Sequence, residues 1–115
     1  MSDRAPAYDA DQTLDALGDP SRRRLVELLA GGPRAVGAIA ADMPIGRPAV
    51  SKHLRVLESA GLVEHRSEGT RNLYALAPAG LVPLQQWLVG QWDLVLDAFA
   101  RFVDAQDDKQ PEDNP

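Results

Sequence analysis

A chain of 115 residues without cysteine is long enough for one domain with a modest core, and it has no disulfide, thiolate metal site or cysteine nucleophile. It shows neither an apolar run of membrane-spanning length nor the charged-then-apolar start of a signal peptide, so a cytoplasmic, bacterial-type protein with no membrane partner is expected. The net charge of −5 disfavours nucleic acid only when taken whole, because residues 20–76 hold nine Lys/Arg against five Asp/Glu while residues 1–19 and 104–115 each carry −4.

Residues 1–10 have no periodicity and read as a disordered arm. A short helix over Asp11–Leu17 follows, stopped by Gly18. Asp19-Pro20-Ser21 is a strong second start, with a capping carboxylate and a proline suited to the first helical position. This helix runs to about Ala30, buries Leu25, Leu28 and Leu29, and ends at Gly31-Gly32-Pro33. Arg22, Arg23 and Arg24 lie in its first turns, where the helix dipole disfavours cations. A partner phosphate, or the carboxylate of Asp15 or Asp19, is expected to offset them, and at least one of the three is expected to be a solvated arginine with a local salt bridge.

A third helix over Ala35–Asp42 places Val36, Ile39 and Ala40 on one face and small residues elsewhere. Met43-Pro44-Ile45-Gly46 breaks it. The next helix, from Arg47, carries Val50, Leu54 and Leu57 at i, i+4 and i+7, a narrow stripe that must be buried. Its other side offers Ser51, Lys52, Arg55 and Ser59, with Arg47 and Pro48 at the entry. Small, polar and cationic groups on a short helix suit a DNA major groove, where Arg, Lys and Ser bond phosphates and base edges. Two short helices joined by a glycine-containing turn form a helix-turn-helix. Gly61 ends the second as a left-handed cap. His53 sits at the flank, suited to packing or a backbone hydrogen bond, with a phosphate contact as the sharper alternative.

Leu62–Arg66 and Arg71–Leu76 read as two strands around Ser67-Glu68-Gly69-Thr70, a hairpin wing with Arg66, Thr70 and Arg71 at its tip. Such a wing lies along a DNA backbone or enters the minor groove. His65, on the first strand, reads as structural. From Pro78 to about Asp104 the pattern is helical again. Leu81, Leu84, Leu88, Trp92, Val95, Phe99 and Phe102 form a stripe too apolar for a monomer to expose. A helix of about 26 residues spans roughly 39 Å, more than a small domain covers. A twofold dimer is therefore expected, this helix packing on its mate and on the partner's first helix through Leu14. Gly90, mid-helix, is read as a close crossing point. Residues 105–115 are acidic and non-periodic, a disordered tail. The fold class is mainly α within an α+β winged helix: a three-helix core, a two-stranded β wing and a long C-terminal dimerisation helix, spanning residues 11–104.

Ala16-Leu17-Gly18-Asp19-Pro20-Ser21-Arg22-Arg23-Arg24-Leu25, Pro48-Ala49-Val50-Ser51-Lys52-His53-Leu54-Arg55-Val56-Leu57-Glu58, Ala60-Gly61-Leu62-Val63 and Glu68-Gly69-Thr70-Arg71-Asn72-Leu73-Tyr74 together resemble the ArsR (ArsR/SmtB) family of bacterial winged-helix repressors over about residues 12–103. The resemblance implies a homodimer on an imperfectly palindromic operator in double-stranded DNA, blocking RNA polymerase and often regulating its own operon. Many members of that family sense metals. The positions matching the cysteines of one familiar metal site are Ala35 and Gly37, which cannot coordinate, and no histidine follows His65 to complete the other. Asp93 and Asp97, at i, i+4, fall short of a transition-metal site. The resemblance is therefore to the metal-free branch, with no cofactor. It leaves open whether a small-molecule effector exists.

Three other readings are weighed against this one. An enzyme lacks support, since Ser51 and His53 are i, i+2 and face apart on a helix, and no phosphate loop is present. A winged-helix interaction module is left open by the acidic flanks. A repressor answering to metal through carboxylates is the third.

Overall fold

The computed structural model describes residues 9–109, so most of the expected arm and the last six residues lie outside it. The elements run α1 (Ala10–Ala16), α2 (Pro20–Leu29), β1 (Arg34–Ala35), α3 (Val36–Ala41), α4 (Arg47–Ser59), β2 (Val63–Glu68), β3 (Arg71–Leu76) and α5 (Pro78–Lys109). They divide into two compact units, one ending at Leu84 and the other formed by the rest of α5.

In the first unit the starts of α1 and α2 follow from a local donor–acceptor match. The Asp9 carboxylate accepts from the Gln12 amide at 2.8 Å, and that of Asp19 from the Arg22 amide at 3.1 Å. Pro20 opens α2 at no cost in amides. Helix α4 ends in a full Schellman arrangement. Gly61 has φ +82, its amide donates to the Glu58 carbonyl at 3.0 Å, and the Leu62 amide donates to the Leu57 carbonyl at 2.9 Å. Leu57 and Leu62 are both fully buried, so the cap carries its usual apolar contact.

The core is built from Leu25 and Leu29 of α2, Ile39 of α3, the whole stripe Val50, Leu54 and Leu57 of α4, then Leu62, Val63 and Tyr74. Helices α1, α2 and α3 all pack on α4, which is therefore central. Gly80, in the first turns of α5, lies against the backbone of Gly61, so closely that a methyl group there would land on the Gly61 carbonyl. A side chain at position 80 would push α5 off the end of α4.

The sheet is antiparallel in the order β1-β3-β2. The hairpin is present, with a third strand that the sequence reading took for the start of a helix: Arg34 pairs with Tyr74 and Ala35 with Leu73. The hairpin is also tighter than expected. Glu68 pairs with Arg71, leaving a two-residue loop in which Gly69 has φ +64 and Thr70 a negative φ, the pattern of a type II′ turn. A hydrogen bond of 2.9 Å from the Ala77 amide to the Leu62 carbonyl closes the base of the wing.

Helix α5 is longer than expected. Ala105–Lys109, which the sequence reading placed in the disordered tail, continue it. Pro83 lies in its second turn and removes the amide that would meet the Ala79 carbonyl. In the second unit Trp87, Leu88, Trp92, Leu94, Val95, Leu96, Phe99 and Phe102 are all exposed, Trp92 at 63%.

Candidate nucleic-acid interface

Helix α4 turns its apolar stripe fully inward, which leaves Arg47, Pro48, Lys52 and Arg55 exposed and Ser51 half-buried at the edge. Its start has no side-chain cap: Gly46 is extended at φ −75, ψ 163, and it has no side-chain oxygen to offer the first amides. An uncapped helix start preceded by glycine lets a phosphate approach the backbone closely.

Charge pairing sorts the cations. Arg24 meets Glu27 at 3.5 Å, Arg34 meets Asp42 at 2.8 Å and Arg66 meets Glu68 at 3.5 Å. Among the described residues Arg47, Lys52, Arg55 and Arg71 make no ion pair. All four belong to the expected DNA-facing set. A solvated surface cation gains little from pairing, so four unpaired ones on α4 and the wing leave a positive field on that side of the unit.

The wing and helix meet in one concavity. Arg47 of α4, Thr70, Arg71 and Asn72 of the wing, and Ala35, Val36 and Gly37 at the β1–α3 junction line a cleft of about 260 Å³. Asn72 was not among the expected site residues. Its signal in the sequence was adjacency to Arg71, and its position opposite Ser67 appears only with the register. The cleft exists because β1 pairs with β3 and brings the α3 start beside the hairpin.

Two expected roles change. His53 does not belong to the outward face: its Nε2 lies 4.0 Å from the Asp19 carboxylate and its Nδ1 is buried without a hydrogen-bond partner. It joins α4 to the start of α2. The Asp19 carboxyl is held below its ordinary pKa, chiefly by the hydrogen bond from the Arg22 amide, with burial opposing and the His53 charge assisting. The other correction concerns the dimer stripe. Leu84 is already buried within its own chain, so it is not a free interface residue, while Leu81 is half-buried against the domain core. Leu14 is half-buried on α1, whereas Leu88, Trp92, Val95, Phe99 and Phe102 remain exposed.

Arg24 makes the local salt bridge expected of at least one of the three arginines, to Glu27, while Arg22 and Arg23 bond backbone carbonyls. Arg22 donates from Nε to the Ala16 carbonyl, and Arg23 from Nη1 to the Leu17 carbonyl at 2.7 Å. Both therefore serve the C-terminal end of α1, where cations are favourable. His65 ties the wing to α4, its Nδ1 lying 2.7 Å from the Glu58 carboxylate and its ring 5.2 Å from that of Tyr74. Burial raises the Tyr74 phenol above its ordinary pKa, the Glu58 charge adding to the shift and Arg55 opposing it.

Comparisons with known proteins agree with this arrangement. A family model described as a helix-turn-helix domain matches residues 17–66. The HTH-type transcriptional regulator Rv2034 of Mycobacterium tuberculosis is 47% identical over 98 residues, 85% of this chain and 92% of that protein. The transcriptional repressor SdpR of Bacillus subtilis is 32% identical over 74 residues, 64% of this chain and 82% of the repressor. Among solved structures, the homodimeric winged helix-turn-helix DNA-binding domain of Mb0332 from Mycobacterium bovis, described as a possible ArsR-family regulator, is 35% identical. It superposes with a TM-score of 0.58 over 80% of this chain and 82% of that one.

Proposed function

The chain belongs to the ArsR (ArsR/SmtB) family of winged helix-turn-helix transcriptional regulators, and on that footing we propose that it is a cytoplasmic homodimeric repressor of a palindromic operator, its own promoter included, that does not answer to metal. The observation that carries this reading is the set of unpaired cations, Arg47, Lys52, Arg55 and Arg71, on one helix and its adjoining wing. Ser51 and Lys52 are the proposed base readers. Arg47, Arg55, Arg66, Thr70 and Arg71 are the proposed backbone contacts.

The dimer is supported by the exposed apolar side chains of α5, which water would otherwise cover at a cost of about 25 cal/mol per Å². Two recognition helices related by a twofold axis then require a site with matching symmetry. Metal independence is supported by Ala35 and Gly37, whose side chains carry no ligand atoms, and by the pair Asp93 and Asp97, which falls short of a transition-metal ligand set. Among the described residues no three His, Asp or Glu side chains gather. No helix among them is long and apolar enough to cross a membrane.

The test is a fluorescence-anisotropy titration with the duplex lying upstream of the protein's own gene, at two salt concentrations, with zinc and with chelator. Tight, palindrome-dependent and salt-sensitive binding that ignores metal is the expected result. Release by zinc revives a carboxylate metal site, and absence of binding in every condition moves the reading to an interaction module.

A further inference from the structure

The cleft between α4 and the wing has a lining whose chemistry is one-sided. Its charged groups are the guanidiniums of Arg47 and Arg71, and among the described residues no carboxylate lines it. Thr70 adds a hydroxyl. Asn72 adds a carboxamide whose oxygen already accepts from the Ser67 hydroxyl at 3.1 Å, leaving its NH₂ group as the free end. Neither arginine is paired with an acid among the described residues. The remaining wall is small: Ala35 and Gly37 have no side chain long enough to fill the space. Arg47 Nη1 lies 3.8 Å from where a Cβ on Gly37 would stand, so the guanidinium lies along that wall. A concave site of about 260 Å³, rich in donors, walled by small residues and holding two uncompensated cations, matches the anionic oxygens of a phosphate group.

We propose that this cleft is a phosphate-group site, filled by an operator phosphate in the DNA complex and by a small phosphorylated molecule in the free protein, each occupant excluding the other. The exclusion rests on the regulator reading above; the anion site does not. It gives the protein a route to derepression that needs no metal: a phosphorylated ligand that occupies Arg47 and Arg71 withdraws from DNA one cation at the helix entry and one at the wing tip of each protomer.

Pyrophosphate is the probe. Isothermal titration of the DNA-free full chain, at ionic strength held constant with chloride, is expected to show saturable binding of one pyrophosphate per chain. Arg47→Gln and Arg71→Gln each weaken it by about tenfold or more, while Lys52→Gln, on the same helix but outside the cleft, changes it by less than about twofold. In the second arm, anisotropy with the duplex at the same ionic strength is expected to show pyrophosphate raising the apparent DNA dissociation constant of the wild type in step with its occupancy, and leaving that of Arg71→Gln unmoved. No saturation up to about 10 mM, or an equal loss in Lys52→Gln, overturns the site as mere surface electrostatics. Pyrophosphate and duplex bound together without competition overturn the exclusion. Binding of pyrophosphate with no duplex binding at all refutes the regulator reading while the site stands.

Discussion

The salt dependence of DNA binding follows from which cations are already paired. Arg47, Arg55 and Arg71 are exposed, assigned to the backbone and unpaired within the described residues. A dimer that brings these to DNA neutralises about six phosphates. At about −0.9 per phosphate the logarithm of the association constant then falls with the logarithm of salt with a slope of about −5.4. Between about 50 and 200 mM salt the affinity drops by about three orders of magnitude. Arg71→Ala removes one contact from each protomer and reduces the slope to about −3.6. Arg34→Ala is the matched control, since Arg34 is already bonded to Asp42 at 2.8 Å; its slope is expected to stay within about 0.5 of the wild type. Anisotropy titrations at four or more salt concentrations measure all three slopes. A wild-type slope shallower than about −2, or a change in Arg34→Ala as large as that in Arg71→Ala, refutes the argument from pairing.

Lys52→Ala is expected to weaken specific operator binding by about 1–3 kcal/mol and non-specific binding far less, with the dimer intact; equal operator affinity removes Lys52 from the reading set. Trp92→Asp, at a position 63% exposed in the single chain, is expected to raise the dimer dissociation constant by about two orders of magnitude or more, and a dimer unchanged by sedimentation refutes the α5 interface. Gly80→Ala forces a methyl group against the Gly61 backbone and is expected to cost about 1–3 kcal/mol, or about 4–8 °C of melting temperature for each kcal/mol in a domain of this size. An unaltered melt shows that α5 does not pack on that turn. The Asp19 carboxyl is held below its ordinary pKa, so its capping contribution is complete above the unfolded-state value and is lost as pH falls through the lower folded-state value. Asp19→Asn keeps a capping oxygen without that titration. Its melting temperature should therefore fall less than the wild type's as pH is lowered through the carboxylate range, and parallel pH profiles contradict the assignment.

Much of the frame was legible because it rests on short-range rules. The Val50, Leu54 and Leu57 stripe, the Gly61 cap and the hairpin each depend on residues close in sequence, and each is present. What was hidden depends on pairing at a distance. Strand β1 is two residues long, too short to show a period of two, and only its register with Leu73 and Tyr74 defines it. Periodicity gave His53 to the flank of α4 but did not say that Asp19 would meet it there. Leu84 continues the helical stripe of α5, so spacing alone did not separate it from the exposed residues that follow. Ser67 and Glu68 are exposed and show no alternation, which is why the hairpin loop read as longer than it is. The cleft was invisible for the same reason as β1.

The hydrogen bond from Ala77 to Leu62 closes the base of the wing, and its lower half is held as well by β1 and by the core residues Val63 and Tyr74. Its tip, residues 67–72, is exposed throughout and holds no core residue. Lengthening the hairpin at Gly69-Thr70 therefore changes its reach without moving a core residue, and extra loop length costs only about 0.6 kcal/mol per doubling. Only the tip is interchangeable. Descendants of this scaffold, natural or engineered, can vary that tip while the core residues Val63 and Tyr74 and the pairing with β1 stay as they were.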